Sequence, residues 1–347
     1  MALLEVEDLE TRFYTEEGVV KAVDGISYQI EAGEHFGIVG ESGAGKSVAS
    51  LSLMRLISDP GRIERGEIRF KGEDVLSMSD ERLRQVRGGE IAMIFQDPQT
   101  ALNPVYTVGE QITEAVRVHM DVTDEEARER AIEMLDLVGI PDSAERYSDY
   151  PHEFSGGMQQ RAVIATALSC DPDLIIADEP TTALDVTIEA QILELLDELS
   201  EETDTAIQLI THDLGVIAGI SDRVMVMYAG EVVEKGPVED IYYEPKHPYT
   251  AGLMGAIPRI GDDRERLATI PGTMPDLVEV PPGCRFHPRC PYAEDVCAEQ
   301  DPRMMDTDTG DYGGDFEPDA HIAKCHEYTG ELRNELDFDV RVEGDRP

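Results

Sequence analysis

Basic residues are scarce in this chain of 347 residues: 29 Lys and Arg stand against 73 Asp and Glu, for a net charge of −44. Nucleic-acid binding needs Lys and Arg to neutralise phosphates, so this balance speaks against that class of partner. The acids are scattered along the chain and not gathered in one block. That spread suits a whole surface adapted to high salt, where self-repulsion is screened, and points to a halophilic source. No run of 18 apolar residues occurs, so no segment reads as a membrane-spanning helix. The start, Met1-Ala2-Leu3-Leu4-Glu5, lacks the basic opening of a secretory signal. The expectation is a cytoplasmic protein, any membrane role of which comes through a partner. There is no internal repeat and no Cys-x-x-Cys pair, so the usual structural-zinc spacing is absent.

What the chain does have is a hydrophobic content of 41%, enough for one large domain and a smaller one. It is organised around Gly40-Glu41-Ser42-Gly43-Ala44-Gly45-Lys46-Ser47. This stretch follows an apolar strand, Phe36-Gly37-Ile38-Val39, and opens an apolar segment over residues 48–57. Strand, Gly-rich loop and helix are the context a phosphate-binding loop needs. The glycines let successive backbone N–H groups turn inward, where a Cβ would block a phosphate. A helix beginning at Lys46 aims its positive dipole end at the same anion. Lys46 is expected to reach the β- and γ-phosphates of ATP, and the Ser47 hydroxyl to hold Mg²⁺.

Other candidates lie at strand ends. Phe13 and Tyr14 precede a polar turn, where an aromatic either stacks on adenine or packs in the core; both readings stay open. Gln96 follows the apolar run Ile91-Ala92-Met93-Ile94-Phe95, and a polar residue there lies near a ligand crevice. It is expected to touch Mg²⁺ and the attacking water. Residues 97–106 form a loop able to move, and residues 107–150 an inserted helical region, with a capping box at Thr123 and Glu126. Ser155-Gly156-Gly157 opens a further helix as a second anion site. The apolar run Leu174-Ile175-Ile176-Ala177 ends in Asp178 and Glu179. Charges at the end of a core strand need a task. Asp178 suits a Mg²⁺ shell, and Glu179 a general base for the water that attacks the γ-phosphate. Asp185 follows in a turn, and His212, after the strand at 206–210, is placed to sense the γ-phosphate.

Together these residues resemble the ATP-binding subunit of an ABC transporter. Residues 40–47 look like the Walker A loop, Gln96 like the Q-loop glutamine, and residues 155–159 like the ABC signature. Phe154 and Met158 stand where many members have Leu and Gln. Residues 174–179 look like Walker B with its catalytic glutamate, 183–185 like the D-loop, and His212 like the switch histidine. Finer matches, Thr100-Ala101-Leu102-Asn103-Pro104, Phe154 to Met158, and His247-Pro248-Tyr249-Thr250, resemble the dipeptide/oligopeptide importers. Nickel and glutathione importers share this ATPase type and stay as alternative cargoes. A soluble ABC ATPase acting on nucleic acid is the further alternative, which the acidic charge disfavours.

The resemblance implies an α/β P-loop NTPase with a RecA-like core, an antiparallel β subdomain, an inserted α-helical subdomain and a small irregular C-terminal domain. The expected division is 1–98 and 166–235 for the ATP-binding core, 99–165 for the helical signature subdomain, 236–328 for the C-terminal domain and 329–347 for a polar tail. It also implies a head-to-tail pair with a second, distinct ATPase subunit. Two membrane permeases and an extracellular substrate-binding protein complete the assembly, with this subunit peripheral at the cytoplasmic face. With the charge, it suggests a halophilic archaeon.

Cys284, Cys290, Cys297 and Cys325 are separated by five, six and twenty-seven residues. Four thiolates satisfy a tetrahedral metal or a [4Fe–4S] cluster. His287, His321 and His326 are near enough in sequence to replace one of them. The tail resembles that of peptide-importer ATPases carrying an iron–sulfur cluster, which sets that option above zinc. Cys170, placed on the signature helix, reads as a small buried hydrophobe.

Overall fold

The computed structural model describes residues 2–95, 101–180, 186–256, 269–312, 316–334 and 336. Gln96, Thr100 and the stretch Ala183-Leu184-Asp185 lie outside the described residues. The strands are β1 (Leu4–Thr15), β2 (Gly18–Ile30), β3 (His35–Val39), β4 (Gly61–Phe70), β5 (Glu73–Asp74), β6 (Ile91–Ile94), β7 (Leu174–Asp178), β8 (Ala206–Thr211), β9 (Arg223–Tyr228), β10 (Glu231–Pro237), β11 (Met305–Asp306) and β12 (Ile322–Ala323). The chain divides into two compact units.

One unit holds Leu4–Gln29, Phe36–Arg69 and Thr211–Pro347, and is called the loop unit because it carries residues 40–47. In one of its sheets the order is β2-β1-β4; only Glu16 and Glu17 separate β1 from β2, so these two form a hairpin. In the other the order is β11-β12-β10-β9-β3. β3 lies parallel to β9, with Ile38 opposite Met225. Both are apolar and buried, as parallel strands covered on two faces must be. β9 returns as antiparallel β10 through Ala229 and Gly230, whose φ angles of 49° and 85° are those of a tight hairpin turn. The two-residue strands β11 and β12 extend this edge, Glu234 of β10 pairing with Ala323. The region beyond residue 236 is thus tied to the sheet by backbone pairing. Its core is aromatic: Tyr249 and Phe286 pack on Tyr228 with ring centroids 4.7 Å and 5.2 Å away.

The helical unit holds Met1–Leu3, Ile30–His35 and Phe70–Ile210. β6, β7 and β8 run parallel, with Ile94 opposite Ala177 and Asp178 opposite Ile210. The helices Val108–His119 and Asp124–Leu137 each begin with a full capping box, Thr107 with Glu110 and the expected Thr123 with Glu126. Ala127, Ala131, Met134 and Leu135 form the buried stripe of the second. The helix opened by Ser155 runs Gly156–Leu168. Cys170 therefore lies beyond its end, where the sequence had placed it on the helix, although the residue is buried as expected.

Candidate nucleotide site

In the loop unit, β3 delivers the chain into a turn built on glycines. Gly43 and Gly45 take φ of 84° and 103°, which a side chain would strain. A Cβ on Gly40 would stand 2.3 Å from the Met227 carbonyl oxygen, and one on Gly45 2.2 Å from that of Ala22. The loop is thus clamped between the neighbouring backbones; the Glu41 and Ala44 N–H groups are bonded to the Tyr249 hydroxyl and the Glu41 carbonyl. Gly45 is the N-cap of the helix Lys46–Leu53, which has no acidic residue in its first turn to compete for an anion. Lys46 is only 5% exposed, and its ammonium donates to the carbonyls of Gly40 at 2.7 Å and Glu41 at 3.2 Å. Folded back in this way, the ammonium lies along the loop itself. Ser47 opens the same helix beside it, and Ala44 is fully buried while Ser42 is exposed.

Of the two aromatics, Phe13 is half-buried against Gly61, and Tyr14 is exposed. The Tyr14 hydroxyl donates to Glu64 at 2.9 Å and the Arg62 guanidinium lies over its ring. His212 is exposed just after β8, and the next residue, Asp213, caps the following helix.

In the helical unit, Asp178 is the buried last residue of β7. Glu179 follows with φ of 46° and donates its N–H to the Ile210 carbonyl at 2.9 Å. Ser155 caps its helix as expected, its hydroxyl accepting from the Met158 N–H at 3.3 Å. Ser155 and Gly156 are exposed, and a Cβ on Gly156 would meet nothing within 4 Å, so the helix start is open to a large anion. Gln159 holds the preceding turn by donating to the Pro151 carbonyl at 2.7 Å.

The four C-terminal cysteines, all free thiols, line one cavity of about 20 Å³ together with His247, Phe286 and Tyr292. That is room for roughly one water. Burial pushes the Cys284 and Cys325 thiols up to about 12 and Cys290 up to about 11. Backbone N–H groups of Phe286, Tyr292 and Glu327 act the other way on Cys284, Cys290 and Cys325. Among the described residues no group of three or more His, Cys, Asp or Glu is arranged to hold a metal ion. The cysteines expected to bind a cluster thus converge on one cavity without forming a finished metal site. Of the histidines offered as substitutes, His287 and His326 line the same cavity, bonded to the carbonyls of Cys284 and Gln300, whereas His321 pairs with buried Glu234 at 2.7 Å.

Two contacts to the loop were not read from the sequence. Arg289 pairs with the Glu41 carboxylate, and Tyr249 accepts the Glu41 N–H. Partners 248 and 208 positions away leave no local pattern.

A Gly-rich loop between a buried parallel strand and a helix, a strand ending in Asp-Glu and a Ser-Gly-Gly helix start define an ATP-binding cassette. The ABC transporter family model matches residues 23–182, and the model of the oligopeptide/dipeptide transporter C-terminal region matches residues 233–297. The dipeptide transport ATP-binding protein DppD of Escherichia coli is 49% identical over 94% of this chain and 97% of its own length. DppD of Bacillus subtilis is 50% identical over 93% and 94%. The solved structure of a dimeric bacterial ABC transporter cassette aligns with a TM-score of 0.61 and 29% identity, covering 68% of this chain and 98% of that one. A second, a dimeric cassette in a post-hydrolysis state bound to ADP and phosphate, aligns with the same score at 28% identity. The chain belongs to the ABC transporter ATP-binding proteins of the oligopeptide/dipeptide type. Its fold is the ABC cassette, a mixed α/β P-loop NTPase with an antiparallel β subdomain and helical parts.

Proposed function

We propose that this chain hydrolyses ATP to power a membrane importer of dipeptides or oligopeptides. The observation that carries the reading is near-50% identity to dipeptide transport ATP-binding proteins along almost the whole chain, including the C-terminal region. Those names favour peptides over the alternative cargoes, nickel and glutathione.

The functional division is an ATP-binding core at 1–98 and 166–235, a helical signature part at 99–165 and a C-terminal part at 236–328, followed by a polar tail. Residues 40–47 bind the phosphates, through Lys46 and loop N–H groups other than that of Glu41, which Tyr249 holds. Ser47, Gln96 and Asp178 are the Mg²⁺ residues; both Ser47 and Asp178 are hard oxygen donors, which suit that ion. Mg²⁺ when bound neutralises charge on the phosphate oxygens. Phe13 or Tyr14 stacks on adenine. Glu179 takes a proton from water as its oxygen attacks the γ-phosphorus and ADP leaves with the bonding pair. His212 holds the γ-phosphate, and Asp185 lies at the contact with a partner cassette. Ser155, Gly156 and Gly157 complete the ATP site of a second, sister ATPase subunit in a head-to-tail pair.

Among the described residues no helix is long and apolar enough to cross a membrane, so two permease subunits supply the path and a substrate-binding protein the cargo. The subunit sits peripherally at the cytoplasmic face. An apolar groove of about 560 Å³, lined by Ala92, Met93, Phe95, Leu102, Ala115 and Val163, receives a permease helix. Phe95 of this groove is exposed, as are Val105 and Tyr106 in the following residues.

The thiol donors of Cys284, Cys290, Cys297 and Cys325 fit a thiolate-bound metal, a [4Fe–4S] cluster ahead of zinc. A cluster would need more room than the cavity of about 20 Å³. The charge of −44 fits a halophilic archaeon.

The test is reconstitution with the permeases in vesicles. ATPase activity stimulated by a dipeptide and its binding protein, with uptake of labelled dipeptide, is expected. ATP turnover that ignores peptide but responds to nickel or glutathione would overturn the cargo.

A further inference from the structure

We propose that Arg289 and Tyr249, both from the C-terminal region, are positioning residues for the phosphate-binding loop and act on it through Glu41. The inference rests on the reading of residues 40–47 as the ATP site.

Glu41 is the second residue of that loop. Its carboxylate is the anionic side chain nearest in sequence to the N–H groups meant for phosphate, and left alone it would repel ATP. Arg289 removes that conflict. Its two terminal nitrogens donate to the two Glu41 oxygens at 2.8 Å and 3.0 Å, the fork-to-fork pairing that fixes direction as well as distance. The guanidinium is itself held. Its side chain is 7% exposed, its Nε donates to the Pro271 carbonyl at 2.8 Å, and Nη1 reaches the Tyr228 hydroxyl at 3.3 Å. It also lies 5.7 Å from the centre of the Tyr228 ring.

Tyr249 makes the second hold. Its hydroxyl accepts the Glu41 N–H at 2.8 Å, so that donor faces away from any bound phosphate. The ring is fully buried against Tyr228 and Phe286. Tyr228 ends the strand whose Met227 carbonyl packs on Gly40. Both holds therefore end on the wall that shapes the loop's first residue. The backbone N–H and the side chain of one loop residue are each committed to a group that a shorter cassette, ending near residue 236, would lack.

Recovery of affinity on neutralising Glu41 is a readout that a role in folding alone would not give. With the full chain, Mg-ATP affinity is measured for wild type, Arg289→Met, Tyr249→Phe and the double variant Glu41→Gln with Arg289→Met. Breaking this part-buried pair leaves the Glu41 charge uncompensated beside the phosphates, so R289M is expected to weaken ATP binding about 10–100-fold. Neutralising Glu41 in that background is expected to recover most of the loss. Y249F, which removes one oxygen, is expected to weaken binding about threefold to tenfold, the scale of one hydrogen bond. Equal affinity of R289M and wild type, or no recovery in the double variant, overturns the proposal. Should R289M alone fail to fold, the double variant and Y249F decide: near-wild-type affinity in the first with a loss in the second supports it, and the reverse overturns it. Wild-type protein that binds no ATP would instead overturn the reading of residues 40–47, and the inference with it.

Discussion

Glu179 leaves the last turn of its strand with a left-handed φ of 46°, pinned by its N–H donating to the Ile210 carbonyl at 2.9 Å. A glutamate held there costs on the order of 1 kcal/mol of backbone strain, which is tolerated where a side chain must be aimed. Asp178 before it keeps its place in the sheet opposite Ile210. The backbone thus changes course between the two carboxylates. Glu179→Gln is expected to keep ATP affinity and lose about 10²–10⁴-fold in turnover, the scale of a missing general base. Single-turnover ATPase with a separate binding assay measures both; near-normal turnover would remove Glu179 from the mechanism.

Gly45 separates backbone strain from steric clash. Gly43 and Gly45 both have positive φ, but a Cβ on Gly43 would meet nothing within 4 Å. One on Gly45 would strike the Ala22 carbonyl at 2.2 Å. Gly43→Ala should therefore lose about 1 kcal/mol of stability and bind ATP several-fold more weakly. Gly45→Ala must displace the loop or the β2 backbone and should lose ATP binding altogether. Thermal melts and ATP titrations of the two variants check the order; equal effects would mean the clash is relieved without moving the loop.

His247 gives the C-terminal region an acid limit. Burial, helped by the charge of Lys324, lowers its pKa to about 3. Its Nδ1 accepts the Tyr249 N–H at 3.1 Å, which needs the neutral ring. Above about pH 6.5 folded and unfolded chains both hold it neutral. As pH falls towards 3, the unfolded chain takes up a proton that the folded one refuses, and stability drops by about 1.4 kcal/mol per pH unit. Asparagine also caps helices but does not titrate. His247→Asn should therefore be less stable than wild type at pH 7.5 yet lose less on acidification to pH 5. Parallel melting-temperature curves for the two proteins would contradict this.

What was legible in the sequence was local. Residues 40–47, the Thr123–Glu126 capping box and the Ser155 cap are written in neighbouring residues, and the structure places each at its helix start. β7 could be read because a buried parallel strand is an unbroken apolar run. The pairing of Arg289 with Glu41, and of His321 with Glu234 across 87 positions, has no such signature. Each joins a side chain in the C-terminal region to a carboxylate far back in the chain, and only the folded chain selects which. β11 and β12 are two residues long, too short for any period to appear. The cysteines were grouped correctly by composition, but spacing says nothing of the volume they enclose.

That volume makes metal analysis decisive for the thiol cavity. Protein purified without oxygen is expected to contain iron and to absorb broadly near 400 nm, as thiolate-bound clusters do (a rough position for four-cysteine centres). Burial raises the Cys284 and Cys325 thiols, so without a cation these two stay protonated. Zinc without the band would make the region a structural clip. Protein free of both metals would leave four thiols in a small core.

The surface charge sets the last expectation. With −44 on 347 residues, the folded chain repels itself more than the expanded one does, and the repulsion falls as salt shortens its range. The screening length is about 10 Å at 0.1 M and about 3 Å at 1 M. Exposed pairs such as Arg69 with Glu67 weaken over the same range, but they contribute little each. Acids outnumber bases by more than two to one, so relief of repulsion should win and the melting temperature should climb steadily from 0.1 M to 2 M KCl. Sucrose raises melting temperatures through exclusion from the protein surface without screening charge, and so provides the control. A KCl response no larger than that of sucrose at matched osmolality would mean that the acidic surface is not an adaptation to salt.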